Sequence, residues 1–284
     1  MAISPPVEGT GRPADPFTER TPRVVSASKL HRGAARRKSG RFLAEGANSV
    51  EAALQTGAAE ELFCAVHALD RFRDLVDAAE GAGVPVSPVT PRAVRSLADT
   101  VSPAGIIAVC RSVVHEASQV MSVEPSGPTP HLIAIGQALA EPGNVGTLIR
   151  ISDALGADAV WLTEGAVDPE NTKAVRASAG SLFHIPVVRG VAESDLLTLA
   201  HERGLQVAVA TGDGEVDIES AEEELSRPTA WVFGNEARGV TDHLAESADL
   251  RVRIPIRGRA ESLNIVTAAS ICLHTSVRLN AAAS

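Results

Sequence analysis

"HLIAIGQALAEPGNVGTLIR", residues 131–150, is the stretch on which the fold turns. Its first half is a nearly continuous apolar run, the mark of a strand buried on both faces. A Pro-Gly-Asn turn follows and leads into a helical pattern that begins at Val145. Asn144 then falls at the N-cap, where its side-chain oxygen accepts from an otherwise unpaired backbone N–H. Val145, Leu148, Ile149, Ser152 and Leu155 share one face, which is expected to pack on the sheet. Arg150 falls on the opposite face with Gly146 four residues earlier, and helical side chains lean toward the N-terminus. The expectation is a cation lying over a glycine notch, beside a helix start that already favours anions. Two readings of Arg150 stand at this point: a solvated surface charge, or a cation aimed at a phosphate or a developing oxyanion.

Working outward, strand-like runs recur at "DAVWLTE", "HIPVV", "LQVAVAT", "TAWVFGN" and "LRVRIPI", and "SLNIVTAASICLHTSVRL" closes as an amphipathic helix. Apolar strands separated by helices predict, for residues 130–284, an α/β domain whose mostly parallel sheet is covered by helices on both faces. In such sheets ligands bind beyond the carboxyl ends of the strands, which directs attention to the loops after "IGQAL", "AVAT", "VFGN" and "RIPI". Upstream, "ELFCAV" reads as a strand, "ALDRFRDLVDAAEGAG" as a helix ending in glycine, and "VPVSPV" as a short strand. These predict a smaller α/β domain over residues 21–112. The Ser, Pro and Gly of "HEASQVMSVEPSGPTP" predict a linker over 113–129, and the Pro- and Gly-rich residues 1–20 are expected to lack fixed structure.

Composition excludes several classes. With 44% hydrophobic and 21% charged residues the chain has the balance of an ordinary soluble protein. No apolar run approaches the roughly 20 residues that span a bilayer. The first 20 residues lack a basic-then-apolar leader, so a cytoplasmic location is expected. Cys64, Cys110 and Cys272 are scattered and without a CxxC pair, which predicts buried thiols rather than disulfides or zinc ligands. No HExxH or cluster of His and acids predicts a metal site, and neither GxxxxGK[ST] nor GxSxG occurs. The glycines of "ATGDGEVD" lack the third glycine and helix of a dinucleotide fingerprint.

The net charge of −9 is unevenly spread. Residues 1–41 hold nine Lys and Arg against three acids, a balance of +6, which leaves −15 on the remainder. A basic end on an acidic body can grip phosphates with a salt-dependent affinity, and the alternative is a merely solubilising tail. Arg36, Arg37, Lys38 and Arg41 are the candidate phosphate contacts of a nucleic acid in this run.

Two further stretches change the weight on Arg150. "VFGNEARGV" (232–240) puts Gly234, Asn235 and Glu236 directly after a buried strand, an unusual place for a carboxylate. "RIPIRGRAESLNIV" (253–266) sets a Pro and Gly loop before a helix, with Ser262 at or near its cap and Asn264 in its first turn. In this order, "NVGTLIR", "FGNEARGV" and "IPIRGRAESLNI" closely resemble the three motifs of the SpoU (TrmH-like) branch of the SPOUT RNA methyltransferases. "NTKAVRASAGSLFHIPV" is similar to that family's segment between the first two motifs, so the likeness covers essentially all of residues 130–280. "SGRFLAEGANSVEAAL" resembles, more loosely, the opening of the family's L30e-like substrate-binding domain.

The resemblance implies transfer of a methyl group from S-adenosyl-L-methionine to a ribose 2′-hydroxyl, together with a trefoil knot and a homodimer. It implies a catalytic set of Asn144, Arg150, Glu236, Ser262 and Asn264, and cofactor contacts at Gly234, Ile254 and Leu263, with Thr211 as a fourth. Lys173, Arg176, Arg257 and Arg259 are candidates for contact with the RNA backbone, or else merely exposed. With 3% aromatic residues and no Tyr, phosphate grip and shape reading are expected rather than base stacking. The two-domain form resembles the enzymes of large-subunit ribosomal RNA, including the thiostrepton-resistance type. A transfer RNA enzyme and a non-catalytic RNA-binding or ribosome-assembly protein of the same fold are the alternatives.

Overall fold

Both faces of the run at 132–136 are buried, and that organises the C-terminal half of the chain. The computed structural model describes residues 15–121 and 130–283. Residues 1–14 of the expected tail and 122–129 of the expected linker lie outside the described residues.

The N-terminal part comprises α1 (Pro22–Ser28), α2 (Gly33–Ser39), β1 (Arg41–Glu45), α3 (Ala47–Gln55), β2 (Ala59–Ala65), α4 (Arg73–Gly81), β3 (Val86–Val89), α5 (Pro91–Leu97) and β4 (Ile106–Arg111). Its sheet runs β1-β4-β2-β3, with β3 parallel to β2 and the other pairings antiparallel. Pro88 sits on the edge strand β3, where a missing ladder donor is tolerated. Two expectations are corrected here. The helix expected from Ala68 begins only at Arg73, after a short 3-10 turn over Val66–Ala68. Residues 15–20, expected to be unstructured, are tied to the sheet edge: the Phe17 N–H donates to the Pro88 carbonyl at 2.8 Å.

The second part comprises β5 (His115–Glu116), α6 (Ala117–Met121), β6 (Leu132–Gly136), α7 (Pro142–Ala154), β7 (Ala159–Thr163), α8 (Thr172–Ser178), β8 (Val187–Val191), α9 (Glu193–Glu202), β9 (Gln206–Ala210), β10 (Val216–Asp217), α10 (Glu222–Leu225), β11 (Thr229–Phe233), α11 (Asp242–Ser247), β12 (Leu250–Arg253) and α12 (Ile265–Ala283). Eight strands form one sheet in the order β10-β12-β9-β11-β6-β7-β8-β5, and every pairing is parallel. The expected linker is therefore partly wrong. Residues 115–116 add an edge strand beside β8, because the chain leaving the small sheet runs directly along the large one.

Period-two alternation explains the continuous apolar runs. Leu132 and Ala134 of β6 join one core with Trp231, Leu148 and Leu273, while Ile133 and Ile135 join the opposite core with Leu196 and Leu244. Helices α7, α8 and α12 cover the first face, and α9 and α11 cover the second. Val145, Leu148 and Ile149 are each at most 1% exposed, and each contributes about 1.5–3 kcal/mol by burial. Trp231 Nε1 donates to Ser276 Oγ at 2.9 Å, which gives the buried indole its partner and pins α12 to β11. The first core runs on without a break into the N-terminal part, where Phe42 stacks on Phe183 at 5.7 Å between centroids.

Candidate active site

The loops that leave β6, β9, β11 and β12 at their carboxyl ends meet at one side of the sheet. Three of them enclose a cavity of about 530 Å³, lined on one side by Thr211, Asn235 and Glu236 and on the other by Ile254, Ser262, Leu263 and Asn264. The expected loops after β9, β11 and β12 thus do converge. Six of the nine residues expected for catalysis or cofactor contact line this cavity; Asn144, Arg150 and Gly234 do not.

The β11 loop is shaped by Gly234 and by Asn235. A Cβ at Gly234 would stand 2.2 Å from the carbonyl carbon of Gly239, so only glycine lets the two limbs of the loop touch. Asn235 and Gly239 exchange two backbone hydrogen bonds at 2.9 and 2.8 Å, and Asn235 Oδ1 accepts from the N–H groups of Ala237 and Arg238. The Asn235 amide also reaches across to the β6 loop, donating to the Ala138 carbonyl at 2.7 Å. Ala138 holds a φ of 47°, unusual for a non-glycine residue, and its N–H donates to Thr163 Oγ1 at 2.9 Å. Asn235 and Thr163 together hold this strained turn in place.

Glu236 clasps the start of α7. Its carboxylate accepts from the N–H groups of Ala140 and Glu141, both at 3.1 Å, and from Asn144 Nδ2 at 2.9 Å. Partial burial opposes ionisation, but the amide of Asn144 and these backbone N–H groups outweigh it and hold the carboxyl below its ordinary value of 4.5. A carboxylate stranded after a buried strand thereby satisfies free donors at a helix N-terminus.

This geometry corrects the reading of Asn144. Helix α7 begins at Pro142 with Glu141 in the extended N-cap conformation, not at Val145. Proline's fixed φ and missing N–H suit the first helical position. Asn144 is therefore inside the first turn, and its amide faces Glu236 instead of capping. The glycine notch is corrected as well. A Cβ on Gly146 would lie 2.1 Å from the Ala174 carbonyl oxygen, so the glycine face of α7 is filled by the backbone of α8. Arg150 does not lie over an open notch. It is exposed, and no hydrogen bond or ion pair joins it to the described residues.

At the start of α12 the cap falls on Asn264 rather than Ser262. Asn264 is the cap: its Oδ1 accepts from the Val266 N–H at 3.0 Å, and its carbonyl accepts from Ala268. Ser262 is exposed in the loop at the cavity wall.

The candidate RNA contacts divide. Arg37, Lys38 and Arg259 are exposed. Arg36 is 4% exposed, with Nε and Nη2 donating to Asp168 at 2.9 and 2.6 Å, so it is unavailable to RNA, a correction that follows from its place on the inner face of α2. Arg41 pairs with Glu60, Lys173 with Glu141, and Arg257 with Glu219, all at the surface. Arg176 faces Glu45 at 3.7 Å. Sequence reading missed Gln137, 2% exposed, whose amide joins Glu193 at 2.6 Å to Thr241 at 2.9 Å and so braces the far limb of the β11 loop. Its only signal was a polar residue at the end of an apolar strand. Among the described residues no group of three or more His, Cys, Asp or Glu is gathered to hold a metal, and no helix is long and apolar enough to cross a membrane.

Comparison with known proteins agrees with this geometry. The profile of the SpoU rRNA Methylase family matches residues 131–274, and that of the MRM3-like substrate binding domain matches residues 21–108. The chain is 33% identical to the 23S rRNA (guanosine(2553)-2′-O)-methyltransferase RlmP of Bacillus subtilis (strain 168), over 89% of this chain and 94% of that protein. A crystal structure of an RNA 2′-O ribose methyltransferase superposes with a TM-score of 0.79 at 29% identity, covering 93% of this chain and 99% of that one. The AdoMet-bound rRNA methyltransferase from Sinorhizobium meliloti gives a TM-score of 0.77 at 27% identity, covering 91% and 95%.

Proposed function

This chain belongs to the SpoU rRNA Methylase family, and we propose that it transfers a methyl group from S-adenosylmethionine to a ribose 2′-hydroxyl of large-subunit ribosomal RNA. The observation that carries this reading is the cavity at the strand ends, to whose wall Glu236 ties the helix that bears Asn144 and Arg150. The names of several relatives specify 23S ribosomal RNA, which favours that substrate over transfer RNA.

The cavity suits the proposed methyl donor. At about 530 Å³ it lies within the range of roughly 300–1,000 Å³ typical of small-molecule sites. Its walls mix apolar side chains, Ile254 and Leu263 among them, with loop backbone around Thr211 and Gly212. Thr211, Ile254 and Leu263 are the residues to hold the donor, with Gly234 shaping the loop behind them. The donor supplies an electrophilic methyl on a sulfonium centre.

Arg150 is assigned the activation of the ribose hydroxyl. A guanidinium stays protonated and has no lone pair to take a proton, so it acts as a fixed cation that lowers the cost of forming the alkoxide. A phosphate oxygen or water takes the proton. Ser262 and Asn264 hold ribose and phosphate at the cavity wall, and Glu236 orients Asn144.

Residues 21–112 are assigned to substrate binding, with Arg37, Lys38 and Arg41 on the RNA side, and residues 130–284 to methyl transfer. A homodimer belongs to the proposal. Its support is an apolar hollow between α7 and α12, lined by Ile151, Leu155 and Ile271, the last 36% exposed. Pairing through this face brings the α7 helices of two chains together, and Arg150 lies on α7 outside its own chain's cavity. The trefoil knot is likewise proposed; in its support, the late strand β11 returns to the middle of the sheet between β6 and β9. A cytoplasmic location completes the reading.

The test is to incubate total RNA with the purified protein and labelled S-adenosylmethionine and to map alkali-resistant linkages. A single alkali-resistant ribose in large-subunit RNA is expected. Label confined to transfer RNA, to a base, or to nothing at all would overturn the proposal.

A further inference from the structure

A substrate-reading domain joined to a catalytic one moves freely unless the contact between them is large and apolar. Here the contact is both apolar and charged. The core is continuous across the two parts, and the segment from Asp168 to Phe183 forms the joint on the catalytic side. At one end of that segment the buried guanidinium of Arg36 donates to Asp168 through two nitrogens, and its third nitrogen donates to the carbonyls of Leu30 and His31 at 3.0 and 3.1 Å. The other oxygen of Asp168 accepts from the Glu170 N–H at 3.0 Å and from Arg189 at 3.4 Å. Arg189 also holds Glu116 on the edge strand β5.

A second, looser contact lies further along the segment, made by a partly exposed arginine whose Nη1 has no hydrogen bond among the described residues. Arg176 on α8 stands 3.7 Å from Glu45 and 4.0 Å from Asp99, and Glu45, 5% exposed, is itself held by Asp99 N–H and Thr100 Oγ1. Beyond it the ring of Phe183 stacks on Phe42. Helix α8, which follows Asp168 and carries Arg176, packs backbone to backbone on α7 at Gly146. The small domain is thus wired through α8 to the helix that carries Asn144 and Arg150. Buried charges resist sliding, because any displacement leaves a desolvated ion without its partner.

We propose that this joint is a molecular ruler: it fixes the distance between the RNA-gripping surface and the cavity, and so selects which ribose is methylated. Arg36 and Arg176 are positioning residues for that choice and touch neither RNA nor methyl donor. The inference rests on the methyltransferase reading above. A tethered domain would present neighbouring riboses in turn, whereas a rigid one presents a single ribose.

The test maps 2′-O-methylation nucleotide by nucleotide on full-length large-subunit RNA for the wild-type chain, Arg36→Met, Arg36→Lys and Arg176→Met. Thermal melting and S-adenosylmethionine affinity are measured on the same preparations. Both Met variants are expected to bind S-adenosylmethionine as the wild type does, while the share of methyl on the principal ribose falls by about threefold or more and flanking riboses gain it. Arg36→Lys is expected to restore part of the selectivity. Should Arg36→Met fail to fold, the more exposed Arg176→Met carries the test alone. A folded variant that methylates the same single ribose, whether at the wild-type rate or uniformly slower, overturns the ruler. A wild-type chain that methylates no ribose overturns instead the reading on which the ruler rests.

Discussion

Replacing Glu236 by Gln separates a positioning role from a structural one. The carboxylate accepts three hydrogen bonds, from Ala140 and Glu141 at 3.1 Å and from Asn144 at 2.9 Å. Gln keeps one oxygen and turns the other acceptor into a donor, so at least one N–H of the α7 start loses its partner. A hydrogen bond to a buried charged group contributes about 1.5–3 kcal/mol, but water reaches this exposed site, and a loss of about 1 kcal/mol is the better figure. For a chain of this size that is a fall in Tm of roughly 2–4 °C. Activity is expected to fall much further, by about 10²-fold, because a displacement near 1 Å at the reacting centre has that effect. The pH dependence has a definite sign. Since the folded carboxyl titrates below 4.5, its stabilisation is complete above that value and is lost as pH falls through the lowered one. The Tm gap between wild type and Glu236→Gln should therefore be constant from neutral pH down to the ordinary carboxyl range and close as the pH falls through the lowered value. A Gln variant with wild-type turnover, or a gap that widens on acidification, would refute the reasoning.

Gly146→Ala is expected to destabilise the fold by about 3 kcal/mol or more, since its methyl would meet the Ala174 carbonyl at 2.1 Å; a melting curve like the wild type's would contradict the α7–α8 packing. Reversing the two exposed charges in Arg37→Glu/Lys38→Glu should weaken RNA binding and lower the slope of log affinity against log salt by about 1.5 or more, read by titration at several salt concentrations. All three cysteines are buried, with burial raising each thiol and pushing Cys64 up to about 11. They should accordingly resist a thiol reagent in the native protein and react once it is unfolded.

The large sheet was legible because both of its faces are buried, which writes Leu132 to Ile135 and Ala230 to Phe233 as unbroken apolar runs. The cavity was legible as strand-end loops, each recognisable by its Gly, Pro and Asn. What lay hidden were contacts between segments far apart in sequence. Nothing local distinguishes Arg36 from Arg37, yet one faces Asp168, 132 positions away, and the other faces solvent. Asn144 looked like a cap because asparagine caps well, but Pro142 starts the helix earlier and Glu236, 92 positions away, claims the amide. Gly146 is expected from the sequence to leave a notch under the Arg150 guanidinium, whereas the backbone of α8 fills that space, since helix periodicity does not say which element occupies a gap.

We propose that Arg150 is a fixed cation serving the chemistry rather than the fold. Arg150→Ala is the direct test, because the side chain is exposed and unpaired among the described residues. Its loss should leave stability within about 0.5 kcal/mol and S-adenosylmethionine affinity unchanged, while lowering the single-turnover methyl-transfer rate by about 10²–10³-fold. An Arg150→Ala enzyme that methylates RNA at the wild-type rate would contradict the account.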